Sequence, residues 1–277
     1  KDFRLIGNQK MTRDDIPAKT DGSAMYSIDV RLPGMVYGVI TRSPVHGSKP
    51  TLLNEKEIRN TEGILDVVML DHGVGLIATT IEKALLVKQQ MVIQWSEGAK
   101  AATFDSIKAF ADYYTIAGDK NYKATRITEK GNVDNALETA AKLYWADYLN
   151  DFCYHAQMET LNAVVSIAED GQSAEIWVGS QAFDGARAAA ASTLGIDRSR
   201  VKLHPMYLGG GFGRRSSTDF VIEAVRLAKA AKKPLKLIWT REDDVQYGSY
   251  RPQSLQRFHA GFDAAGNVIA WNNTIVG

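Results

Sequence analysis

At 277 residues, 45% hydrophobic and 23% charged, the chain has the size and composition of one large or two ordinary globular domains that can bury a substantial core. Its 33 basic and 32 acidic residues leave a net charge of +1, which excludes the basic footprint that nucleic acid or an anionic membrane would demand. One cysteine, Cys153, excludes an internal disulfide framework and a four-cysteine iron–sulfur cluster, and no apolar run reaches the length of a transmembrane segment.

In chain order, Pro33-Gly34 reads as a turn into a strand from Met35 to Thr41, and the apolar runs Ile64 to Leu70 and Val74 to Thr80 as two more strands. Ile81, Ala84, Leu85 and Lys88 recur at helical spacing, and Met91 to Trp95 returns to strand. "TFDSIKAFADYYTIAG" predicts a helix capped by Thr103 and stopped by Gly118, and the polar stretch 119–140 a connection over the surface. Strands follow at "KLYWADYLN", "NAVVSIA" and "AEIWVGS". Ser180 is placed to cap a helix from Gln181 to Leu194, with Phe183, Ala186, Ala190 and Leu194 on one face and Gly195 as its stop. A strand over 200–207, a glycine loop, a second helix, the short strand "LKLIW" and a hairpin around "DAAGN" complete an α+β chain in two parts: 12–118, a linker over 119–140, and 141–277.

The loop "LGGGFGRRSSTDFVIEAV" places four glycines within five residues, Gly209 to Gly213, between a strand and a helix. Glycine fills no core and costs entropy, so either the backbone turns through positive φ or something large lies against it. Ser216 to Asp219 fits a capping pattern, and Val221, Ala224, Val225 and Ala228 share a helical face. A helix N-terminus favours an anion or a partly negative oxygen. The spacing fits neither G-x-G-x-x-G, since Ser216 stands where a glycine is required, nor a Walker A loop, which needs a lysine. A tight turn and a ligand site both remain open on these residues alone. The five histidines are scattered, with no H-E-x-x-H and no C-x-x-C, so a zinc site held by side chains is not expected.

The order of motifs is more specific. "HAQMETLNAVV", "IWVGSQAFDGARAAAASTLGI", "LGGGFGRRSSTDFVIEAVRLAKAAKKPLKLIWTREDD" and "YRP", together with "DIPAKTDGSAMYSIDVRLPGMVYGVITRSP", resemble the molybdenum-binding subunit of the xanthine dehydrogenase and aldehyde oxidase family, in its isoquinoline 1-oxidoreductase β-subunit branch. The resemblance implies an a/b hammerhead domain over 12–118 and part of a molybdopterin-binding domain over 141–277. With Lys1 first and a strand-like end, it leads to the expectation of a middle section of a longer subunit. It implies a molybdenum-dependent oxidoreductase that oxidises an aldehyde or N-heteroaromatic carbon with water-derived oxygen, inactive as this section alone. The base glutamate is expected outside this chain. The alternative is a non-catalytic assembly or scaffold piece supplying part of a cofactor pocket.

The implied cofactor is molybdopterin with molybdenum, in the cytosine dinucleotide form, held with no metal ligand from side chains. The implied partners are the remainder of the same subunit and a 2Fe–2S subunit carrying the iron–sulfur clusters, with a cytochrome as a compatible acceptor. The periplasm and the cytoplasm both remain open as locations. Cofactor contacts are expected from Gly209, Gly210, Gly211, Phe212, Gly213, Arg214 and Gln181. The substrate pocket is expected from His155, Glu159 and Phe212. Arg214 and Arg215 suit phosphate oxygens, or else a helix-face ion pair of Arg215 with Asp219. Arg241 to Asp244 are expected to make capping and ion-pair contacts.

Overall fold

The structure is a computed structural model describing residues 2–119 and 121–277; residue 120, inside the expected surface connection, lies outside the described residues. In chain order the elements are α1 (Ile16–Asp21), β1 (Val36–Arg42), β2 (Pro50–Leu52), α2 (Glu55–Arg59), β3 (Ile64–Leu70), β4 (Gly73–Ala78), α3 (Ile81–Lys88), β5 (Ile93–Trp95), α4 (Ser106–Gly118) and α5 (Val133–Glu138). They continue with β6 (Lys142–Asn150), β7 (Asn162–Ile167), β8 (Ala174–Val178), α6 (Phe183–Leu194), β9 (Val201–Pro205), α7 (Asp219–Ala231), β10 (Leu235–Ile238), α8 (Arg241–Tyr247), β11 (Ser254–Phe262) and β12 (Val268–Val276). Helices with mixed sheets make the chain α+β, as the sequence indicates.

Two compact units form, and they interleave along the chain: Lys1–Glu97 with Ala156–Gly248, and Gly98–His155 with Ser249–Gly277. Their boundaries therefore differ from the sequential ones expected at 118 and 141. The first unit is built on a seven-stranded sheet in the order β3-β4-β1-β10-β7-β8-β9. The pairs β1/β10 and β8/β9 are parallel, and the other neighbours antiparallel. Every residue of β4 is buried, as a strand covered on both faces should be. On one face α7 packs Phe220, Val221, Ala224, Val225, Leu227 and Ala228 against Ile40, Ile77, Val165 and Leu237, so the predicted apolar stripe is the buried one. On the other, Val39, Val74 and Leu76 pack against Ala84 and Val87 of α3 and Ile58 of α2.

The second unit is a meander in the order β12-β11-β6, with α4 and α5 packed on it. Asp263 holds its hairpin by accepting from the amides of Ala265 and Asn267.

Several helix starts differ from expectation. The carboxylate of Asp105, not Thr103, caps α4 by accepting from the amides of Ile107 and Lys108. α6 begins at Phe183 without a side-chain cap, because Ser180 Oγ is engaged two residues earlier, accepting from Ala182 N–H and donating to the Arg215 carbonyl. Ser216 lies in a 3-10 turn, Arg214–Ser216, and makes no cap for α7. The polar connection contains a helix, α5, capped by Asn132. At α8 the expectation holds: Thr240 and Asp243 form a capping box, and Arg241 pairs with Asp244 at 3.4 Å.

Candidate functional site

Three connections of the first unit meet at one end of its sheet. Two leave the C-terminal ends of the parallel neighbours β8 and β9, namely 179–182 before α6 and 206–218 before α7. The third, 156–161, enters β7, which runs antiparallel to β8 and therefore begins at that same end. Ligand crevices of α/β sheets form outside the carboxyl ends of parallel strands. The glycine loop, Gln181 and Glu159 all lie on these connections.

The glycines are explained position by position. Gly210 and Gly213 have φ of 91° and 102°, and Phe212 shares the left-handed region at 52°. Gly209 and Gly211 do not; they are crowded instead. A Cβ on Gly209 would lie 2.2 Å from Glu159 Cβ, and one on Gly211 2.4 Å from Gln181 Oε1. Close approach to this loop thus begins with the protein itself.

Glu159 is a fastener. Its Oε2 accepts from Gly209 N at 3.1 Å and from Arg215 Nη2 at 2.9 Å, while Oε1 accepts from Ser27 Oγ at 3.2 Å and Asn162 Nδ2 at 2.9 Å. Its backbone amide donates to the Gly209 carbonyl at 3.0 Å. Its side chain is only 9% exposed, so the expected pocket carboxylate is occupied by the protein's own donors.

Arg215 does not pair with Asp219; Arg214 does, bidentately, at 2.9 and 2.6 Å. The Arg215 side chain is fully buried and donates to the carbonyls of Gly179, Glu159, Thr160 and Gly210 as well as to Glu159 Oε2. Burial pulls its pKa below the ordinary arginine value, with the neighbouring Glu159 opposing. Arg214 is also buried, and its Nε has no hydrogen-bond partner among the described residues. Neither arginine presents an open guanidinium fork to a phosphate in this arrangement.

Gln181 is exposed, and its Oε1 accepts from Gly213 N at 2.9 Å. That bond fixes which end of the amide faces the loop. It leaves the NH2 end, two donors, without an acceptor among the described residues. Phe212 is 59% exposed, with its ring edge over Gly210, so it is no core aromatic. No acceptor among the described residues reaches the amides of Gly210, Gly211 and Phe212. Of the expected pocket residues, Glu159 and Phe212 share the loop's unit, whereas His155 belongs to the second unit.

Sequence reasoning missed the fastening role of Arg215 and Glu159 because their partners are backbone carbonyls and amides from distant connections, which leave no residue pattern. Among the described residues no group of three His, Cys, Asp or Glu side chains gathers as a metal site, and no helix is long and apolar enough to cross a membrane. The site therefore offers N–H donors: three backbone amides and one carboxamide. Such a surface suits a large ligand whose near face carries oxygen acceptors and which brings its own metal ligands, as the molybdopterin group does.

Comparison with known proteins agrees. Residues 117–277 match the molybdopterin cofactor-binding domain family. The isoquinoline 1-oxidoreductase subunit beta of Brevundimonas diminuta is 30% identical over 99% of this chain and 36% of its own length. The membrane-bound aldehyde dehydrogenase (pyrroloquinoline-quinone) of Gluconacetobacter polyoxogenes is 32% identical over 96% of this chain and 35% of its own. The chain thus spans about a third of the length of these curated relatives. Quinoline 2-oxidoreductase from Pseudomonas putida 86 shares the fold with a TM-score of 0.75 at 15% identity, covering 96% of this chain and 38% of that one.

Proposed function

The chain belongs to the molybdopterin cofactor-binding domain family, and from that membership we propose that it is a section of the catalytic subunit of a molybdenum hydroxylase, oxidising an aldehyde or N-heteroaromatic carbon with oxygen taken from water. The names of the two relatives, one for isoquinoline and one for an aldehyde, support both substrate classes. The observation that carries the reading is the donor surface itself: the amides of Gly210, Gly211 and Phe212 and the Gln181 NH2, all without acceptors among the described residues, at the carboxyl end of β8 and β9.

When bound, the molybdenum cofactor supplies the two-electron redox chemistry. The chain's own residues hold it and shape its surroundings. Gly210 to Phe212 would donate to oxygen acceptors on the cofactor, and Gln181, its carboxamide oriented by Gly213 N–H, would add two further donors. The exposed Phe212 ring forms an apolar wall beside them that excludes water and orients a planar substrate. Arg214 is buried and paired with Asp219, so the phosphates of a dinucleotide form of the cofactor would be held by it only once that pair has opened. An iron–sulfur subunit on another chain would accept the electrons.

Metal analysis of the native full-length subunit tests the assignment, with about one molybdenum per chain expected; a protein that carries a quinone and no molybdenum would overturn it. Turnover in isotopically heavy water should label the product, and an unlabelled product would refute the hydroxylase chemistry.

A further inference from the structure

A trans peptide is planar, with its C=O and N–H pointing to opposite sides, so anchoring one fixes the direction of the other. No cis peptide is present among the described residues. Three consecutive carbonyls of the glycine loop are anchored to the protein: Gly209 O accepts from Glu159 N at 3.0 Å, Gly210 O from Arg215 Nε at 3.1 Å, and Gly211 O from Arg214 N at 2.9 Å. Their peptide partners are the amides of Gly210, Gly211 and Phe212, the three that have no acceptor. The carbonyls are turned inward and the N–H groups are turned away, so the span is a wall of donors only.

Two of the three anchors are backbone amides; one is a side chain. We infer that Arg215 is the positioning residue of this wall: by holding the Gly210 carbonyl it aims Gly211 N–H, between its two neighbours, at a ligand offering oxygen acceptors. Gly210, at φ 91°, and Gly211 have no Cβ to resist a flip of the peptide between them, and a flip would present a carbonyl where the ligand needs a donor. Arg215 opposes the flip with a fork that simultaneously reaches Gly179 O at 3.0 Å and Glu159 O at 2.7 Å, so the loop is referenced to both neighbouring connections. Lysine could keep the charge pair with Glu159 but cannot span these acceptors. What occupies the wall rests on the molybdopterin reading; the polarity of the wall does not.

The test is residue-resolved amide hydrogen exchange on the full-length subunit, with and without cofactor, alongside its molybdenum content. In the cofactor-free wild type, Gly209, Gly213 and Arg214 amides should exchange at least tenfold more slowly than those of Gly210 and Phe212, Gly211 being itself buried; uniform exchange across the loop overturns the inference. In Arg215→Lys, protection of Gly209 and Gly213 should fall at least tenfold while α7 and β7 stay protected, and molybdenum per folded chain should fall several-fold. Wild-type loop protection in that variant overturns the positioning role. A loosened loop with full molybdenum content upholds it and overturns instead the reading of this loop as the cofactor wall. Should Arg215→Lys not fold, Glu159→Gln carries the same comparison, because it removes the charge that locks the guanidinium yet keeps an oxygen for Gly209 N–H.

Discussion

A methyl group at Gly211 would collide with the carboxamide of Gln181, 2.4 Å from Oε1 and 2.7 Å from Cδ, but Gln181 is exposed and can swing aside. At Gly209 the obstacle is Glu159 Cβ at 2.2 Å and its backbone amide at 3.0 Å, and Glu159 is held in place by six hydrogen bonds to Ser27, Asn162, Gly209 and Arg215. Overpacking a fixed neighbour costs more than displacing a mobile one, about 1–3 kcal/mol in typical cases. Urea unfolding should therefore find Gly209→Ala the more destabilising of the two, with Gly211→Ala near the low end of that range. Both should lose molybdenum, Gly211→Ala because Gln181 leaves Gly213 N–H and its donor end is no longer aimed. Equal costs would show that Glu159 yields as readily as Gln181. The sequence made it legible that this backbone is approached closely. The approaching groups were not legible, since Glu159 lies 50 residues before Gly209 and Gln181 32 before Gly213, separations that no local pattern reports.

α7 shows the same boundary between what periodicity carries and what it does not. Its buried stripe of Val221, Ala224, Val225 and Ala228 follows from helical spacing, but Glu223 on the same helix is equally buried, which spacing alone would have sent to solvent. Arg42 of β1 binds it through Nε at 3.0 Å and Nη2 at 2.5 Å, Trp239 Nε1 donates to it at 2.9 Å, and His72 lies at 2.8 Å. Burial by itself would raise the pKa of Glu223; Arg42 and His72 outweigh it, and the net displacement is downward. A carboxylate lowered on folding contributes fully above its unfolded pKa of about 4.3, and the contribution is lost as pH falls through the lower folded value. Glu223→Gln leaves Arg42 buried with the more distant Asp243, at 3.8 Å, as its remaining counter-charge among the described residues. Removing one partner of a buried pair costs about 3–5 kcal/mol. Denaturation at pH 7 should show a loss near the lower figure, and the gap to wild type should shrink below pH 4. A gap that stays constant down to pH 3 would mean that Glu223 is not the group titrating there.

At the scale of the whole molecule, strand and helix identities were readable and strand partners were not. The apolar run and its turn mark β1 as a strand, buried on both faces, but Val36 pairs with Leu235, far along the chain, and a contiguous reading placed those two strands in separate parts. The consequence can be tested by cutting the chain. Residues 1–118 alone would leave β1 with no neighbour where β10 belongs, at the middle of the seven-stranded sheet, and would strip the bed of α7 from Ile40 and Ile77. Residues 141–277 alone would keep α7 but lose β1, β3 and β4 beneath it and expose the edge of β10. An open central edge with an apolar face is a template for aggregation, not a stable margin. Each fragment alone should therefore lack a cooperative thermal transition and show little amide protection. Co-expressed, they should co-purify and regain protection in β1 and β10, because the missing stretch contributes no strand to either sheet and its one helix, α5, packs on the second unit rather than on β1 or β10. A 141–277 fragment that melts cooperatively by itself, within a few degrees of the whole chain, would show that the sequential boundary is the true one and that the pairing of β1 with β10 adds little to the stability of the core.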